Sequence, residues 1–144
     1  MVQFSHAPRT YQALAALRII AALFLIVHGV ARVALGIVDD FGGFLGEVGL
    51  PFGTFVAGCI TVFEIAGGAY LAMGRLVRPL ALGFAAELAV GIALVHAPEG
   101  WFVVGAGRNG MEYSALLIAV LIAVAYAAGP PSAHMRSDAM SHSP

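Results

Sequence analysis

The sequence predicts an all-α fold: an integral membrane four-helix bundle with both termini cytoplasmic. Three observations carry that expectation. Of the 144 residues, 60% are hydrophobic and 10% charged, with a mean hydropathy of +0.92, whereas roughly 25% of residues in soluble domains are charged. Four apolar runs lie at about 13–38, 53–73, 77–96 and 111–129, each near the ~20 residues that a spanning helix needs. The arginines divide unevenly between the two sides that those runs define.

The first run is the longest. Arg9 and Arg18 followed by an apolar stretch also fit the start of a cleaved signal peptide, but the run continues past His28 to Val38, which is long for a signal-peptide core. A spanning helix is the better reading. The gap after it holds Asp39, Asp40 and Glu47 among Gly42, Gly43, Gly46 and Gly49, and closes on Leu50-Pro51. This is turn chemistry, so a loop is expected there, with at most a short amphipathic turn.

The second and third runs are joined by Gly74-Arg75-Leu76-Val77-Arg78-Pro79. So tight a connection makes them antiparallel neighbours, and Pro79 suits the first turn of the later helix. Between the third and fourth runs lies HAPEGWFVVGAGRNG, 96–110, whose Trp101 and Phe102 favour the membrane interface. Two alanine ladders, Ala81/Ala85/Ala89/Ala93 and Ala115/Ala119/Ala123/Ala127, each line one helical stripe. Small stripes let membrane helices approach closely, so one or both are expected to form helix contacts. The segment 130–144 is polar and is expected to be a disordered cytoplasmic tail, with His134 and His142 carrying no function.

Orientation follows the positive-inside rule. Arg9, Arg18, Arg75, Arg78 and Arg136 fall on one side, against Arg32 and Arg108 on the other. That places the acidic first loop and the aromatic third loop outside. Net charge is −1, and no polybasic run of the kind that attracts nucleic acid or anionic lipid is present. Cys59 stands alone within an apolar run, so neither an intramolecular disulfide nor a CxxC relay is available. It reads as a packing residue.

Besides Arg18 and Arg78 near the cytoplasmic ends of their runs, six charged or imidazole groups interrupt the apolar runs: His28, Arg32, Glu64, Glu87, His96 and Glu112. At about 1.5 Å of rise per residue, all six fall between the bilayer centre and the outer surface. His28 and Arg32 share a helical face. A charged side chain at the centre of a lone spanning helix costs about 3 kcal/mol even on the mildest scale, so these groups are expected to meet inside the bundle. The economical arrangement has Arg32 bridging one carboxylate, His28 bonded to another, and His96 with Glu112 at the mouth. One arginine against three carboxylates leaves at least one of Glu64 and Glu87 carrying a proton at neutral pH. No metal site is called for by the spacing, and a haem shared by His28 and His96 is disfavoured by a depth difference of about 10 Å. The bland alternative is that these groups only hydrogen-bond helices together.

These features occur in a telling order. The apolar helix ending in His28-Gly29, the glycine-rich segment closed by Leu50-Pro51, Glu64 followed by Gly67-Gly68, and the turn from Gly74 to Arg78 are followed by His96, Pro98-Glu99-Gly100-Trp101-Phe102, Glu112 and Gly129-Pro130. Together they resemble the DoxX family of small four-helix bacterial membrane proteins, over about residues 14–130. The resemblance implies a multi-pass protein of the bacterial inner (plasma) membrane, linked to quinone and to membrane redox complexes, with His28, Glu64, His96 and Glu112 as the positions to test. Electrons would come from a partner, because no cofactor motif is evident in the sequence. The tail beyond Gly129-Pro130 departs from the family pattern. Arg32 enters on charge balance alone.

The sequence admits three functions. One is a redox-complex subunit that contacts quinone or quinol through the polar cluster, possessing no enzymatic activity of its own that the sequence can assign. A second is a small-molecule or proton transporter that uses the same groups. A third is a scaffold that recruits soluble redox enzymes to the bilayer. Redox-enzyme subunits and further copies of this chain are the protein partners these readings allow, and nucleic acid is not among them.

Overall fold

A computed structural model of the chain describes residues 7–129, which are helical with connecting turns and no strand among them. The polar tail at 130–144 lies outside the described residues. Helix α1 (Ala7–Ala34) leads into a short helix α2 (Val38–Glu47). Helix α3 (Gly53–Ala72) and helix α4 (Val77–Glu99) follow, and helix α5 (Glu112–Ala127) closes the described chain. Three helices, α1, α3 and α4, are long and apolar enough to cross a membrane, and α5 is a shorter apolar helix of 16 residues.

Helix α2 corrects the expectation of a loop at 38–47. Ten residues there are helical, and Gly42 and Leu45 are buried. Packing overrides the low helix propensity of glycine: a Cβ at Gly53 would collide with the carbonyl oxygen of Gly42, and one at Gly42 would collide with the backbone of Thr54. The two glycines therefore let α2 lie directly on the first turn of α3. The helical propensity that α2 lacks is supplied by that contact.

The predicted tight connection is present between α3 and α4. Gly74, at φ +76°, ends α3 in the left-handed region, and its N–H donates to the Leu71 carbonyl while the Arg75 N–H donates to that of Tyr70. Pro79 sits in the first turn of α4, where its missing N–H donor costs no intrahelical hydrogen bond.

Helix α1 packs against α3 and α5, and α5 packs along α4. The core is built from Ala21, Ala22 and Leu25 of α1, Leu71 of α3, Ala81, Phe84 and Ala85 of α4, and Leu121, Val124 and Ala125 of α5. The Phe63 and Phe84 rings lie 4.3 Å apart between centroids and tie α3 to α4. Large apolar side chains such as Leu23, Phe24, Val27 and Val30 point outward, as a bundle solvated by lipid requires.

The alanine ladders divide. Ala81 and Ala85 are buried, whereas Ala89 and Ala93 are exposed. In α5 the ladder is not the contact face: Ala119, Ala123 and Ala127 are exposed, and Leu121, Val124 and Ala125 take the buried side.

Two helices contain a single wider, π-helical turn. In α3 it spans Phe63–Gly67, and in α4 it spans Ile92–His96. Such turns are rare and concentrate at functional positions. One contains Glu64 and the other ends on His96.

Candidate functional site

Arg32 lies in the last turn of α1, where a cation is favoured by the helix dipole. Its side chain turns inward to α3. Nη1 donates to Glu64 Oε2 at 2.5 Å and Nη2 to Glu64 Oε1 at 3.3 Å. Nη1 also donates to Thr61 Oγ1 at 3.0 Å, and the Thr61 hydroxyl donates to the Ala57 carbonyl at 2.8 Å. The Phe41 ring of α2 closes over the guanidinium, 4.5 Å from its carbon to the ring centroid. Arg32 keeps 8% of its surface exposed and Glu64 keeps 4%, so both charges are withdrawn from solvent and matched to one another.

Gly29 makes this approach feasible. A Cβ there would stand 3.0 Å from Glu64 Cβ, 2.9 Å from Ile65 Cγ1 and 3.1 Å from the Thr61 carbonyl oxygen. The absent side chain lets α1 lie against α3 one turn before Arg32.

Glu87 joins from α4. Its carboxyl faces Glu64, with Arg32 within electrostatic reach. Its Oε2 is enclosed and has no hydrogen-bond partner among the described residues. One guanidinium thus stands before two carboxyl groups, where the charge count had set it against three.

The other three predicted members make no hydrogen bond to these groups among the described residues. His28, one turn before Arg32 and exposed, makes no hydrogen bond to a carboxylate among the described residues. Instead it lines a small pocket of about 220 Å³ with Ala31, Arg32 and Ile37. His96 and Glu112 bond to loop backbone and not to the cluster. The His96 Nδ1–H donates to the Asn109 carbonyl at 2.8 Å, and Glu112 Oε1 accepts from the Val103 N–H at 3.0 Å. Both anchor the 97–111 loop, whose backbone amides need partners more than the cluster needs two further charges.

Thr61 and Phe41 belong to the site and were missed in the sequence. Thr61 could have been found, because it stands three residues before Glu64 and shares its helical face. Phe41 carries no signal, because it lies among the glycines of α2, whose sequence resembles turn chemistry. Among the described residues, no group of three His, Cys, Asp or Glu side chains converges as a metal ligand set.

An all-helical bundle with membrane-length helices and a buried ion pair between two of them is a helical membrane protein. The DoxX family model matches residues 13–97, a segment that begins in α1 and runs past His96. The chain belongs to the DoxX family. No curated protein and no solved structure matches it.

Proposed function

We propose that this chain is a plasma-membrane subunit of a redox complex that receives the headgroup of a quinone or quinol in the pocket beside His28 and Arg32. The observation that carries this reading is the position of that pocket. It is lined by His28, Ala31, Arg32 and Ile37, so an exposed imidazole and one edge of the buried ion pair meet at one small cavity. About 220 Å³ is less than the ~300 Å³ lower bound of drug-sized sites; it accepts a ring and leaves an isoprenoid tail in lipid.

The chemistry fits the groups. Reduction of a quinone to its quinol takes up two electrons and two protons. A partner subunit delivers the electrons, while His28 hydrogen-bonds the ring oxygen and exchanges its proton. The Glu64 and Glu87 carboxyls behind Arg32 are the next proton carriers. Arg32 holds Glu64 in place and orients the cluster.

Mass spectrometry of lipids retained by the protein purified in mild detergent tests the reading. Quinone retained by the native chain and lost in His28→Ala is the expected result. Equal retention by both proteins, or none by the native chain, overturns it.

A further inference from the structure

The bundle end that carries the α3–α4 turn collects positive charge from separate segments. Arg18 of α1 lays its guanidinium on this turn: Nη2 donates to the Ala72 carbonyl at 3.3 Å, and Nη1 would stand 2.8 Å from a Cβ at Gly74. Arg75 follows immediately, with its guanidinium 5.8 Å from the centroid of the Tyr70 ring. Arg78, in the first turn of α4, reaches toward Gly129 just beyond α5, where its Nη1 would stand 3.7 Å from a Cβ. Arg75 and Arg78 are exposed.

Nothing among the described residues neutralises these three arginines. The only salt bridge found there joins Arg32 to Glu64. Every described acidic residue lies elsewhere: Asp39, Asp40 and Glu47 on α2, Glu64 and Glu87 within α3 and α4, and Glu99 and Glu112 at the far ends of α4 and α5. The enclosed Arg18 Nε also lacks a hydrogen-bond partner. Two tyrosines, Tyr70 and Tyr126, are exposed at the same end, and such rings settle at the headgroup level of a bilayer. The first-turn N–H groups of α4 add a partial positive charge.

We infer that the turn between α3 and α4 binds the phosphate of an anionic phospholipid, held by Arg75 and Arg78 with Arg18 behind them. Arginines held near the membrane surface attract such headgroups. No run of basic residues marks the site in the sequence, because the fold assembles it from α1, the turn and α4. The quinone reading plays no part in this assignment.

The test extracts the full chain from vesicles of phosphatidylcholine and phosphatidylglycerol in equal parts and measures the retained lipids by mass spectrometry. Native protein retains phosphatidylglycerol in excess over its share. The Arg75→Gln/Arg78→Gln variant, which leaves the Arg18–Ala72 bond intact, loses that excess by about fivefold per arginine removed, whereas Arg108→Gln at the opposite end retains it. An unchanged ratio in the double variant overturns the assignment, and so does an equal loss in Arg108→Gln, which would mark unspecific charge attraction. Complete displacement of the lipid by millimolar inorganic phosphate also overturns it, because the site would then be one for free phosphate.

Discussion

Arg32 on α1 engages both carboxylate oxygens of Glu64 on α3, and Thr61 takes a further hydrogen bond from the same guanidinium. Removing one partner from a buried pair leaves an uncompensated charge and costs about 3–5 kcal/mol, whereas replacing both by apolar groups of similar volume is often neutral or stabilising. Arg32→Met and Glu64→Leu are each expected to lower the thermal unfolding midpoint in detergent sharply. The double variant recovers most of the loss. Additive losses in the double variant would show that the pair is not coupled.

Gly29→Ala tests the close approach of α1 to α3. The new methyl meets the Thr61 carbonyl oxygen, which is backbone and cannot turn aside, as well as Ile65 and Glu64. Overpacking of this kind costs about 1–3 kcal/mol. Equilibrium unfolding should register that loss, whereas Gly43→Ala, where no atom stands within 4 Å of the added methyl, should leave stability unchanged or raise it by up to about 1 kcal/mol through the helix propensity of alanine. An equal response at both positions would contradict the close packing assigned to Gly29.

His96 and Glu112 hold the 97–111 loop by its backbone. In His96→Ala and Glu112→Gln, hydrogen exchange across residues 100–111 should accelerate by about fivefold to tenfold, the loss of one hydrogen bond of about 1 kcal/mol. Exchange around Arg32 and Glu64 should stay as it was. Faster exchange at α1 and α3 in these variants would restore both residues to the cluster.

How much of this was legible depends on what kind of signal each feature leaves. Apolar runs announced α1, α3 and α4 because lipid permits few charges over 20 residues, and the turn at Gly74 was visible in its glycine and proline. Charge balance required Arg32 to find a carboxylate, but could not choose between Glu64 and Glu87. That choice depends on where Gly29 lets two backbones meet and on the wider turn at Phe63–Gly67, neither of which leaves a periodic pattern. Helix α2 was hidden because its glycines serve a contact with α3, which a local reading takes for turn chemistry. The partners of His96 and Glu112 were hidden for a related reason: they are backbone groups of a loop, and backbone carries no sequence signature.

Photoaffinity labelling addresses the central claim most directly. A photoreactive quinone analogue is crosslinked to the native protein in vesicles, and the labelled peptides are mapped by mass spectrometry. Label is expected within residues 28–37, suppressed by excess unlabelled quinone and lost in His28→Ala. Label confined to the apolar groove on the outer face of α3, lined by Phe55, Cys59, Val62 and Ala66, and unaffected by His28→Ala, would contradict it.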